Sequence, residues 1–197
     1  MKKELAIILE KLDVFRNPKI QLEQYPTPSG LAAELAVRAN LIDSHVGRFI
    51  DLGCGTGILS IAFSLVGFDV FGVDRDREAL LIARSNSGKA GVSVDFVQQD
   101  VRFLEVKERT GVVMNPPFGI QRRNADRIFL EKAFEIGNVV YSVHSAGSEK
   151  FVEKIAGDNG FSITHLWRYS IPLKRLYWFH EKPYKLINVE VFRMERI

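Results

Sequence analysis

A single cysteine, Cys54, stands among the 197 residues, so no intramolecular disulfide can form and a zinc site made of several cysteines is excluded. That absence points to a reducing, intracellular compartment. Histidine is as sparse: His45, His144, His165 and His180 lie in unrelated places and show no metal-ligand spacing. Nowhere does an uncharged apolar run approach the roughly 20 residues needed to cross a bilayer. The N-terminal apolar stretch Leu5 to Leu9 is bracketed by Glu4 and Glu10 and is too short for a signal-peptide core. A soluble, cytoplasmic protein that does not span a membrane is expected. Excess charge is also small, a formal net +3. Between Ile171 and Lys185, Lys174, Arg175, Lys182 and Lys185 stand against Glu181, which supplies that excess by itself. This excludes a polyanion-binding coat over the whole surface and leaves one local element suited to face phosphates.

What is present fits one domain, 1–197, with 46% hydrophobic residues as material for its core. Apolar β-rich runs alternate with helical periodicity, the pattern of an α/β sheet with helices on both faces. The pattern predicts helices over 3–13, 29–40, 57–66, 77–89, 126–136 and 148–158. It predicts strands over 48–51, 70–74, 92–98, 111–114, 139–143, 161–169 and 186–194. Residues 1–47 would supply N-terminal helices and a polar segment, and 48–197 the sheet. The last two strands are joined by a long connection without helical pattern, so they should run antiparallel. The expected fold is Rossmann-like, a seven-stranded, mostly parallel sheet with one antiparallel strand.

The segment Asp51-Leu52-Gly53-Cys54-Gly55-Thr56-Gly57 falls where the first strand ends and a helix begins. Glycines there let the backbone turn sharply and approach a ligand while helix N–H groups point outward. Many nucleotide-binding folds use such a turn, but the third glycine here comes one position earlier than in the dinucleotide pattern. Asp74 ends the second strand, close to the distance of about 20 residues at which an acidic group meets ribose hydroxyls. After the third strand, Asp100 is placed to receive an adenine amino group and Val101 to pack on the ring. Asp51 is placed to meet an ammonium group. Singly, each aspartate is as well explained by a turn or a helix cap. As a set at successive strand ends, where open α/β sheets bind ligands, they resemble the cofactor motifs of S-adenosylmethionine-dependent methyltransferases. The resemblance implies that Asp51, Gly53, Gly55, Gly57, Asp74, Asp100 and Val101 hold S-adenosyl-L-methionine.

The fourth strand ends in Asn115-Pro116-Pro117-Phe118. Each proline keeps the residue before it out of the α conformation, so Asn115 and Pro116 are held extended with fixed carbonyl directions. The Asn115 side-chain oxygen and the Pro116 carbonyl can then accept both hydrogens of one amino group. An aromatic exocyclic amine is a poor nucleophile, because its lone pair is delocalised into the ring. Two acceptors that draw it toward pyramidal geometry localise that pair, through orientation and transition-state electrostatics and without a strong base. Phe118 would offer a flat face to an extruded base. His144 after the fifth strand is better explained as a satisfied structural histidine than as a base. The motif is shared by enzymes that methylate adenine N6, guanine N2 and protein glutamine.

Leu22-Glu23-Gln24-Tyr25-Pro26-Thr27, together with Asp51 to Gly57, Asn115 to Phe118 and Tyr141-Ser142-Val143-His144, resembles the archaeal and eukaryotic methyltransferase-like family that makes N6-methyladenosine in small-subunit ribosomal RNA. The likeness covers nearly the whole chain. It implies RNA as substrate, with Gln24, Tyr25 and Thr27 closing over the cofactor and acceptor pocket. It also implies a small zinc-binding activator subunit, added as a strand along 92–98. The basic segment interleaves Tyr177, Trp178, Phe179 and Tyr184 with Lys174, Arg175, Lys182 and Lys185, which suits base stacking and phosphate contact. Arg122, Arg123 and Arg127 would extend that surface. Aromatics in a long connection also form its own packing core, and surface arginines are common. The competing readings are a protein glutamine methyltransferase, a guanine-N2 RNA methyltransferase and a non-catalytic cofactor-binding subunit.

Overall fold

The computed structural model describes residues 1–118, 124–174 and 184–197. Its strands are β1 (Arg48–Leu52), β2 (Asp69–Asp74), β3 (Asp95–Gln98), β4 (Thr110–Met114), β5 (Gly137–Ser145), β6 (Phe161–Lys174) and β7 (Tyr184–Arg196). They form one sheet in the order β3-β2-β1-β4-β5-β7-β6. Strand β7 runs antiparallel to both its neighbours, β5 and β6, and the other pairings are parallel. The expected fold, with its one reversed strand, is what forms.

Alternating side chains of the central strands leave for opposite faces, and two cores result. On one face Phe49, Val113 and Tyr141 pack with α1 (Lys2–Glu10), α2 (Ser29–Asp43) and α3 (Ile58–Leu65). On the other, Ile50, Leu52, Val112 and Met114 meet α5 (Ala125–Ile136) and α6 (Glu149–Asp158). The rings of Phe49, Phe63 and Phe68 meet edge to face at 5.0 and 4.7 Å. Each such ring, fully buried, contributes about 1.5–3 kcal/mol. The first core also encloses a charge. Arg193 of β7 pairs with Asp43 of α2 at 2.6 Å, both buried, and the Tyr141 hydroxyl donates to Asp43 Oδ2 at 2.5 Å. Removing one partner of such a pair costs about 3–5 kcal/mol, because the other is left buried and unpaired.

Several elements differ from the sequence-based expectation, beyond shifts of two or three residues at the ends of α1, α2 and β5. Strand β3 begins at Asp95 rather than Val92, because the chain returns from α4 (Arg77–Ala90) through Gly91 at φ 69°. Val92 N donates to the Ser87 carbonyl at 3.1 Å, and Ser87 Oγ donates to the Val92 carbonyl at 2.6 Å, which ties Val92 to the end of that helix. Strands β6 and β7 are longer than expected, pairing from Phe161↔Arg196 to Lys174↔Tyr184. Pro172 lies in β6, which the sheet order places at an edge, where a missing donor is tolerated. Short 3-10 turns at Ile20–Leu22 and Val101–Phe103 had no sequence signal long enough to mark them.

Strand β3 is the opposite edge, as expected. Gln99 N donates to the Asp74 carbonyl, so the two-residue period directs the backbone groups of Phe96 and Gln98 toward the open side. The Phe96 carbonyl there is covered by Arg84, whose guanidinium donates to it at 2.9 Å. The Phe96 side chain is buried against Cys54, Leu80 and Ala83.

Candidate active site

The carboxyl ends of β1, β2, β3 and β4 converge on a pocket roofed by the N-terminal segment between α1 and α2. Its lining includes Phe15, Gln24, Tyr25, Thr27, Asp51, Gly53, Gly55, Asp74, Asp100, Val101, Asn115, Pro117 and Phe129. Gly53 and Gly55 turn with φ of 72° and 53°. A Cβ on either would lie 2.8 Å from a ring atom, of Phe129 and Phe15 respectively. Strain and contact therefore both require glycine there. Gly57 does not line the pocket; at φ 84° it caps α3 from behind.

Asp51 is buried, and one carboxylate oxygen accepts from Ser60 N at 2.9 Å and Ser60 Oγ at 2.6 Å. The other, Oδ1, has no partner. Burial pushes the Asp51 carboxyl up to about 7, and the nearby Asp74 charge adds to the rise. A buried orphan acceptor in a pocket wall fits a cationic group on a ligand. Asp74 is held by Gly55 N on Oδ2 and by Asp76 N on Oδ1, each at 2.8 Å. Its lone pairs remain sufficient to accept from ribose hydroxyls, although burial raises its pKa. Asp100 caps the turn Val101–Phe103, and Arg102 grips both its oxygens at 3.0 and 2.7 Å. Those bonds hold its carboxyl down at about 2, so it stays an acceptor at any working pH. Cys54 also lines the pocket, but burial raises its thiol well above the ordinary value and leaves it neutral.

Asn115 stands at the end of β4. Its Nδ2 donates to Thr27 Oγ1 at 3.0 Å, while its buried Oδ1 has no partner. The two orphan side-chain acceptors of the pocket, on Asp51 and Asn115, therefore stand at the ends of adjacent strands, β1 and β4.

Several expected roles need revision. Gln24 lines the pocket, yet its amide is spent elsewhere: Nε2 donates to Asp76 Oδ2 at 2.7 Å, and Oε1 accepts from Lys19 N at 2.8 Å. With Lys19 Nζ on Asp76 Oδ1 at 2.7 Å, it anchors the roof to the turn that carries Asp74. Phe118 packs half-buried against the core of α1 and α2, and neither it nor buried Pro116 lines the cavity. The rings that do are Phe15 and Phe129, which sequence patterning had given to a connector and a helix face. Arg102 was missed as the partner of Asp100; its spacing, two residues on, was the available signal. His144 is buried away from the pocket, with Nε2 2.7 Å from Ser142 Oγ, and burial lowers it to about 3. It is the structural histidine expected. Arg127 pairs with Glu131 on α5. Arg122, Arg123, Arg175, Tyr177, Trp178 and Lys182 lie outside the described residues. The backbone of Lys174 ends β6, and that of Lys185 pairs with Leu173 in β7.

Fold and site together define an S-adenosylmethionine-dependent methyltransferase. Residues 32–136 match the model of the methyltransferase small domain. A Drosophila melanogaster protein named rRNA N6-adenosine-methyltransferase is 36% identical, the match covering 98% of this chain and 95% of that one. Its namesake from Danio rerio is 34% identical, with 97% of each chain covered. A crystal structure of a Pyrococcus horikoshii protein, described as a candidate RNA methyltransferase, superposes with a TM-score of 0.91 at 42% identity and covers 100% of this chain and 98% of that one. The chain belongs to the methyltransferase small-domain family, in the branch that holds these animal enzymes.

Proposed function

We propose that this protein transfers a methyl group to N6 of an adenosine in ribosomal RNA. The observation that carries the reading is Asn115 Oδ1, buried, unpartnered and fixed at the end of β4 in the pocket wall. An amino group, which brings hydrogens and needs acceptors, completes that site; a carbon would leave the acceptor unused. S-adenosylmethionine, when bound, supplies an electrophilic methyl group on a sulfonium. Asp51 Oδ1 would take its ammonium group, Asp74 its ribose hydroxyls and Asp100 its adenine amine, with Val101 against the ring. Asn115 Oδ1 would then take a hydrogen of the acceptor amine and orient its lone pair. No side chain has to remove a proton before attack, in keeping with the neutral, buried state of His144.

RNA as the carrier of that amine is supported by the names of the full-length relatives and by the composition of 174–185. Strand β6 runs parallel to β1 through β5, so its end at Lys174 and the start of β7 at Tyr184 lie at the end of the sheet that carries the carboxyl ends of β1 to β5, the end where the pocket opens. Incubation with labelled S-adenosylmethionine and ribosomal RNA, followed by digestion to nucleosides, should place the label in N6-methyladenosine. Label in N2-methylguanosine, or in a protein fraction, would overturn the reading.

The same proposal includes an activator subunit that adds a strand to β3. This edge carries few defences, with Asp95 the one acidic or basic residue within the strand. Because Phe96 faces the core, a proline there would test folding instead of the seam. Gln98 is exposed and its N–H faces the open side. Gln98→Pro should therefore abolish co-elution with a small zinc-binding partner in size-exclusion chromatography while leaving the thermal midpoint within about 4 °C, the effect of about 1 kcal/mol or less. An intact complex with the folded variant would remove β3 as the seam.

A further inference from the structure

A carboxamide has an accepting end and a donating end of nearly the same shape. Only the Oδ1-inward orientation of Asn115 can receive an amine; the reversed orientation would present N–H groups to N–H groups. Something must satisfy Nδ2 on the outer side whenever Oδ1 faces the pocket.

The group in place is the hydroxyl of Thr27, 3.0 Å from Asn115 Nδ2 across 88 residues of sequence. Both residues are buried or nearly so. Both also precede a proline, Pro28 and Pro116, which bars the α conformation and fixes where each side chain starts. Thr27 is β-branched, so its χ1 has few choices, and Pro26 before it restricts the backbone further. The helix that follows does not draw on the hydroxyl. Its cap residue is Pro28, which makes no side-chain cap bond, and the Pro28 carbonyl takes Leu31 N and Ala32 N. A rigid oxygen thus faces a rigid amide in the wall of the pocket.

We propose that Thr27 is the positioning residue of the acceptor pocket: by accepting from Asn115 Nδ2, it stabilises the amide with Oδ1 turned toward the incoming amine. This rests on the assignment of Asn115 as the acceptor of that amine. Thr27 itself touches no reacting atom. Without its hydroxyl, the productive orientation buries an amide N–H against carbon, a loss felt most when the substrate amine demands that orientation.

Single-turnover methylation at saturating cofactor, with excess enzyme and ribosomal RNA, tests the proposal. Thr27→Val and Thr27→Ala should slow the step about 10–100-fold, the effect of one unsatisfied buried donor. Thr27→Ser should stay within about threefold of wild type, since it restores the oxygen and not the methyl. All three should bind S-adenosylmethionine within about twofold of wild type by calorimetry. Wild-type rates in the valine and alanine variants would overturn the proposal. So would a serine variant as slow as valine, which would mean that Thr27 acts by packing. Should valine fail to fold at this tight position, the alanine and serine pair gives the same answer. The wild-type control separates the two claims. If its product is not N6-methyladenosine, the substrate reading fails, and the comparison of serine with alanine still reports on Thr27 with whichever amine is methylated.

Discussion

Asn115→Ala should abolish methyl transfer, lowering the single-turnover rate at least about 1,000-fold, or about 4 kcal/mol in the barrier, while cofactor affinity stays within a few fold. The separation follows from where the side chain spends its bonds. Nδ2 is held by Thr27, and Oδ1 is the pocket's unpaired acceptor at the end of β4. In the proposed arrangement the cofactor groups would instead fall to Asp51, Asp74 and Asp100 at the ends of β1, β2 and β3. Calorimetric titration beside rapid-quench kinetics measures both quantities on one preparation. Near-wild-type transfer would show that the amine is oriented elsewhere, and a parallel collapse of cofactor affinity would move Asn115 into the cofactor half of the site.

The second large effect is a pH dependence centred on Asp51. An aspartate in an unfolded chain titrates near 3.9, whereas burial, with the Asp74 charge adding, pushes this one up to about 7 in the folded protein. Between those values the folded, cofactor-free protein holds a proton that the unfolded chain has released. Stability from this group is therefore greatest below about pH 4 and declines as pH rises toward 7. About three pH units at 1.36 kcal/mol each make the decline on the order of 4 kcal/mol. Asp51→Asn keeps the shape and cannot ionise. Urea unfolding at pH 4 and pH 8 should therefore show the asparagine variant gaining on wild type as pH rises. Cofactor affinity should move oppositely: in wild type it strengthens up to about pH 7 as the carboxylate forms, and in the variant it is weak and flat. Equal pH slopes in the two proteins would sink the idea.

Much of this site was legible because its chemistry depends on local chain geometry. Glycines at 53, 55 and 57, aspartates at strand ends and two prolines after Asn115 are short-range patterns, and the fold brings Asp51, Asp74, Asp100 and Asn115 to one pocket as those patterns implied. What sequence did not reveal depends on contacts across long separations. Nothing around Phe15 marks a ring that closes on Gly55, and nothing around Phe129 marks one that closes on Gly53. Gln24 looked like a ligand-facing amide because its partners, Asp76 and the Lys19 backbone, are identified only once the roof is folded down. Phe118 was given to the acceptor for its proximity to the two prolines, and the demand of the α1 and α2 core for apolar area draws it away. The start of β3 was misjudged for a related reason. The alternation through Val92 and Val94 is real, but the bonds of Val92 to Ser87 end the strand pattern early.

The Asp43–Arg193 pair sets an order on the birth of the molecule. Its two halves are separated by 150 residues, and the second stands almost at the end of the chain. While the protein is being made, every residue matched to the methyltransferase domain, 32–136, is available before the guanidinium that neutralises Asp43. Until then, seating α2 against the sheet would bury a carboxylate with no opposite charge beside it and only the Tyr141 hydroxyl to offset it. Loss of Arg193 should therefore loosen the seating of α2, and with it Thr27, two residues ahead of its first turn. A charge pair in β7 thus reaches, through α2 and Thr27, as far as the wall against which Asn115 is set.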